Sequence, residues 1–135
     1  MFIFFGKTNI LVIFSILSIG FGQDCDLYMN TVTTDAPRVN NVLVLDMDGD
    51  GDLDIAGSIG YWWGQPLDDD EIVWYKNDGD ENFTEHLVTN AAHGPSGFNN
   101  GDLDQDGDMD LFGCEVNAQK LAWYENVGDE NFTRN

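Results

Sequence analysis

Nine residues of this chain carry five carboxylates, and 56 positions later the arrangement returns. The two stretches are Asp46-Met47-Asp48-Gly49-Asp50-Gly51-Asp52-Leu53-Asp54 and Asp102-Leu103-Asp104-Gln105-Asp106-Gly107-Asp108-Met109-Asp110. Like charges at every second position repel one another, so a cluster this dense disfavours a compact state unless a cation sits within it. A hard ion taking six to eight oxygen ligands fits the donors, which points to Ca2+. Mg2+ keeps its waters and requires a stricter octahedron.

The spacing has a mechanical reason. Carboxylates at loop positions one, three and five converge on one ion only if the chain curls, and a sixth-place glycine permits the sharp turn that brings a seventh-place carbonyl inward. Gly51 and Gly107 hold that place. Asp46, Asp48 and Asp50 in the first loop, and Asp102, Asp104 and Asp106 in the second, are therefore the expected side-chain ligands of two calcium sites. Asp54 and Asp110 are expected to close each shell, while Asp52 and Asp108 offer main-chain oxygens with their side chains turned outward. An EF-hand would require a Glu at position twelve and flanking helices. Position twelve here is Gly57 or Gly113.

The flanking residues read as strands. Val42-Leu43-Val44-Leu45 precedes the first loop, and Ile55-Ala56-Gly57 and Leu111-Phe112-Gly113-Cys114 follow the two loops as short apolar runs. The first copy is expected to form strands at 42–45, 55–58, 72–76 and 83–88, with Asn77-Asp78-Gly79-Asp80 as a hairpin turn. Trp74-Tyr75-Lys76-Asn77 through Asn82-Phe83-Thr84 repeats as Trp123-Tyr124-Glu125-Asn126 through Asn131-Phe132-Thr133 at an offset of 49. The first copy therefore carries a seven-residue insertion within 59–71, a segment whose residues 61–71 read as a protruding, polar-ended loop. A unit of about four short strands repeating every 40 to 50 residues or so predicts an all-β chain of antiparallel β-propeller blades.

Taken together, the Asp-x-Asp-x-Asp-Gly-x-x-Asp loop, the apolar strand, the Trp-Tyr-x-Asn hairpin and the closing Asn-Phe-Thr resemble the FG-GAP and VCBS repeats of secreted propeller proteins. The resemblance runs from about Thr31 to the C-terminus. It implies calcium in an inter-strand loop of each blade, as in the propeller of integrin α-subunits, and a role in adhesion, carbohydrate binding or scaffolding. It implies no enzymatic activity. The chain departs from the pattern at Phe98-Asn99-Asn100-Gly101, a weaker leading strand, and at Gln105 in place of Gly49, expected to be harmless. Repeat 1 is assigned to 31–88 and repeat 2 to 89–135. Two blades make an incomplete propeller with both outer faces bare, so further blades are expected from missing sequence or from self-assembly.

Residues 1–22 read as a secretory signal peptide: a weakly basic start, an apolar centre at Ile10 to Ile19, and small residues before Gln23. A leader at 23–30 follows. Export places the chain outside the cell, with no membrane insertion after the signal is removed. The net charge of −20 excludes nucleic acid as a partner. The partners expected are calcium and a glycan or extracellular protein. Tyr61, Trp62 and Trp63 do not recur in the second copy and offer an aromatic surface for a ligand, the basis of an alternative reading as a carbohydrate-binding module. The other alternative is the non-catalytic part of a secreted polysaccharide-degrading enzyme. Cys25 and Cys114 are compatible with a disulfide in an oxidising compartment, although the apolar run before Cys114 favours a small core residue. His86 and His93 lack any recognised nucleophile arrangement and are expected to have ordinary surface or structural roles.

Overall fold

A computed structural model describes residues 2–5, 11–15, 28–60 and 70–135. They contain eleven strands and no helix. The chain divides into two compact units, Met1–Pro37 and Arg38–Asn135.

The first unit is a three-stranded antiparallel sheet of β1 (Phe2–Phe5), β2 (Leu11–Ser15) and β3 (Tyr28–Thr33), in that order. Its first two strands fall within residues 1–22, read above as a signal peptide, whose aromatic and β-branched residues also favour extended backbone. Among the described residues no helix is long and apolar enough to cross a membrane.

The second unit holds two four-stranded antiparallel sheets, one within 39–89 and one within 95–134. The first runs β4 (Val39–Leu45), β5 (Asp54–Ile59), β6 (Glu71–Asn77), β7 (Phe83–Thr89). The second runs β8 (Pro95–Gly101), β9 (Asp110–Glu115), β10 (Lys120–Asn126), β11 (Phe132–Arg134). In both, spatial order follows chain order, the up-and-down meander of a propeller blade. The last strand of the first blade leads to the first strand of the second, and β4 lies beside β8 while β7 lies beside β11. Inner strands thus meet inner strands, and outer meet outer.

The core lies between the two sheets. Leu45, Met47, Ala56, Ile72, Trp74 and Val88 of the first blade pack with Phe98, Leu111, Ala122 and Tyr124 of the second. Neighbouring residues of a strand point to opposite faces. Trp74 and Tyr124 therefore share this core, whereas Tyr75 and Trp123 occupy the faces turned away from it. β5 is buried along its whole length, consistent with its run of apolar and small residues. Asn41 adds a polar tie by donating from Nδ2 to the Phe98 carbonyl at 3.0 Å.

Several expectations need correction. Cys114 is exposed on β9, because the alternation of the strand turns it outward between buried Gly113 and Glu115. Cys25 lies outside the described residues. So do Tyr61, Trp62 and Trp63, together with the rest of the insertion up to residue 69. Asp70, expected at the polar end of a protruding loop, is buried instead; its Oδ2 accepts the Gly94 N–H at 2.7 Å and ties the start of β6 to the inter-blade connection. The leading strand of the second blade spans seven residues, but its pairing with β9 shifts between Ser96 and Asn99.

Candidate metal centre

Each acidic loop connects the first and second strands of its blade, so the sheet holds both ends of the loop fixed. Within the first, Asp46 Oδ1 accepts the Gly49 N–H at 2.8 Å and Asp46 Oδ2 accepts the Gly51 N–H at 3.1 Å. Asp48 accepts from Asp50 at 3.3 Å, and Asp50 from Asp52 at 2.9 Å. The second loop repeats three of the four bonds: Gly107 to Asp102 at 3.2 Å, Asp106 to Asp104 at 3.3 Å, and Asp108 to Asp106 at 2.9 Å. Each side chain thus accepts from main chain a few residues on, and the loop curls around its own carboxylates.

The curl brings oxygens of Asp46, Asp48 and Asp50 within 4.8 Å of one another, and those of Asp102, Asp104 and Asp106 likewise. Gly51 and Gly107 make the turn at φ 96° and 104°, the left-handed region that glycine enters freely. Gln105 also sits there, at φ 67°, where its counterpart Gly49 has φ 75°. The exchange expected to be harmless therefore carries a backbone cost, since a Cβ in this region crowds the following carbonyl.

Asp54 and Asp110 stand apart from these clusters. Both are fully buried and both use their two oxygens as a clamp. Asp54 accepts from Met47 at 2.9 Å and from Asn77 at 2.8 Å; Asp110 accepts from Leu103 and from Asn126, each at 2.9 Å. The clamp fastens the start of the acidic loop to the end of the third strand. Asn77 and Asn126 extend it by donating to the carbonyls of Leu53 and Met109. Asp52 points toward the hairpin turn, where a Cβ on Gly79 would lie 2.7 Å from its Oδ2.

Electrostatics distinguish the two loops. Burial pushes the Asp48 carboxyl up, but the Lys76 ammonium 2.5 Å from its Oδ2 outweighs that and holds it below its usual value. Asp104 is shifted upward by desolvation and by the negative charges of Asp106, Asp110 and Glu125. Asp54 is also raised, chiefly by burial, against the opposing pull of its two N–H donors. Sequence reading missed Lys76 in this role, although its signal was present: Lys76 and Glu125 are equivalent positions of opposite charge.

A match to the FG-GAP-like repeat spans residues 46–113, half of the chain, from the first residue of the first acidic loop to the strand that follows the second. The chain belongs to the FG-GAP-like repeat family. No curated protein and no solved structure matches it. In this FG-GAP-like chain the grouped ligand atoms are carboxylate oxygens, the kind a hard divalent cation prefers. Asp46, Asp48 and Asp50, and Asp102, Asp104 and Asp106, are the side chains that would hold such an ion. A bound cation would offset the mutual repulsion of each group of three.

Proposed function

We propose that this FG-GAP-like chain is a secreted, non-catalytic repeat protein whose two acidic loops each bind a calcium ion. The ions serve the fold, and the blades serve adhesion or the binding of an extracellular ligand. The observation that carries the reading is the convergence of three carboxylates in each of two loops related by the sequence repeat. A lone acidic cluster is common on protein surfaces; a duplicated one at the same point of two blades argues for a shared ligand.

Export is supported by the apolar N-terminal segment and suits the metal, because extracellular modules bind calcium at about 10⁻⁴ to 10⁻³ M and find it at such levels. A binding role rather than a catalytic one is the reading that membership of the FG-GAP-like repeat family favours. The buried carboxylates have structural partners: Asp54 and Asp110 are clamps, and Glu115 accepts from Tyr124 and Arg134.

Calorimetric titration of calcium into the chelator-treated chain tests the reading. Two ions are expected for the parent, one each for Asp50→Asn and Asp106→Asn, and none for the double variant. A folded parent that takes up no calcium at millimolar concentration contradicts it.

A further inference from the structure

The two loops share their ligands but differ in what stands beside them. Lys76, near the end of β6, places its Nζ 2.5 Å from Asp48 Oδ2, and only 17 % of the Asp48 side chain is exposed. The same ammonium lies 3.4 Å from Glu130 Oε1, in the β10–β11 turn of the second blade, and Glu130 in turn faces His86 Nδ1 at 3.2 Å. Lys76 therefore joins the first loop to the neighbouring blade. Asp48, Lys76, Asp108, Asp129 and Glu130 line one cavity of about 300 Å³ there beside uncharged residues such as Trp74 and Phe132, and the ammonium faces four carboxylates across it.

In the second blade the same register position is Glu125. Tyr75 pairs with Ile55 as Tyr124 pairs with Leu111, so the residue after each tyrosine stands equally placed toward its own loop. Glu125 is held by Asn135, whose Nδ2 donates to Oε2 at 2.7 Å. The first loop thus has a positive neighbour where the second has a negative one.

From this we infer that Lys76 is a tethered counter-cation of the first loop, so that the two loops bind calcium with unequal affinity, the second more tightly. The inference rests on the calcium reading above and adds its regulation. A divalent ion entering the first loop competes with the ammonium for Asp48 and repels it, and Lys76 is left to Glu130 alone. At the second loop the incoming ion meets a further carboxylate nearby. A unit charge some 6 Å from a divalent ion in a water-like dielectric changes affinity by about tenfold.

The ammonium also has a function without metal. It neutralises part of the first loop, so that loop is ordered at low calcium while the second depends on the ion. Calcium would then fill the second loop first, and filling the first would loosen the Asp48–Lys76–Glu130 link between blades.

The test is calcium titration of the full chain, with each loop isolated by disabling the other. In the Asp106→Asn background, which leaves the first loop, Lys76→Gln is expected to tighten binding about tenfold, and Lys76→Arg to retain the weak affinity. In the Asp50→Asn background, which leaves the second loop, Glu125→Lys is expected to weaken binding by a similar factor. Thermal unfolding in chelator separates this from misfolding: Lys76→Gln should lower the metal-free midpoint while raising calcium affinity. Equal affinities at the two loops, with Lys76→Gln and Glu125→Lys both without effect on them, overturn the inference and leave the calcium reading standing. Absence of binding by the folded parent at millimolar calcium overturns both.

Discussion

Asp54 accepts the main-chain N–H of Asn77 at 2.8 Å, joining the residue that ends the first acidic loop to the end of the third strand. With its other oxygen on Met47, one buried carboxylate fixes three segments of the blade. Asp110 does the same in the second blade with Leu103 and Asn126. A carboxylate is the side chain suited to the position, because both surrounding groups are donors.

Asp54→Asn or Asp110→Asn puts an amide NH2 against one of those donors. A buried donor left unpaired costs about 1–3 kcal/mol. Urea unfolding in chelator should show each variant destabilised by that amount, with no metal present to contribute. A residue that acted only as a metal ligand would leave metal-free stability unchanged or improved.

Gln105 occupies a left-handed conformation that its counterpart Gly49 adopts without strain. Gln105→Gly should raise stability by up to about 1 kcal/mol, the relief of the Cβ crowding less the added freedom of glycine in the unfolded chain. Thermal unfolding of the metal-free chain reads the difference.

Gly113 lies where β9 passes under the irregular segment of β8. A Cβ there would sit 2.5 Å from Phe98 Cβ and 2.8 Å from Phe98 Cα. Backbone cannot step aside as a side-chain tip can, so Gly113→Ala should cost about 1–3 kcal/mol or more. Gly51→Ala provides the contrast: its Cβ meets nothing within 4 Å, and any loss comes from φ 96° alone.

Glu115, 1 % exposed, accepts from Tyr124 at 2.8 Å and from Arg134 through both oxygens, at 2.8 and 2.5 Å, which ties β11 back to β9. Burial pushes its carboxyl up, but the Arg134 and Tyr124 bonds prevail and hold it below the ordinary 4.5. A depressed folded value means the stabilisation is present above about pH 4.5 and disappears as pH falls through the folded value. At neutral pH Glu115→Gln should cost about 1.5–3 kcal/mol, the range for a hydrogen bond to a charged group. Unfolding of parent and variant from pH 7 to pH 3 should show that gap close on acidification.

The strands of the first blade were legible because apolar pairs and turn residues alternate there with little ambiguity: 55–58 became Asp54–Ile59, and 83–88 became Phe83–Thr89. The doubled acidic loops likewise marked the carboxylates that converge. What the sequence did not disclose depends on partners far away in the chain. Asp70 looks like one more member of an acidic run until Gly94, 24 residues on, is found donating to it. Asp54 and Asp110, expected in ninth place to close each shell, also accept from Asn77 and Asn126, which spacing along a loop does not show. Cys114 followed an apolar run, yet the period of two turned it to solvent. Lys76 was one of few cations in a chain of 25 acidic residues, but only the fold brings Asp48 and Glu130 to it together.

The most direct measurement is the anomalous diffraction of crystals of the full chain grown with a calcium-mimicking lanthanide, followed by a calcium-soaked data set. One ion is expected in each acidic loop, about 2.3–2.6 Å from oxygens of Asp46, Asp48 and Asp50 and of Asp102, Asp104 and Asp106. Ordered loops with no ion at either site, at millimolar metal, would contradict it.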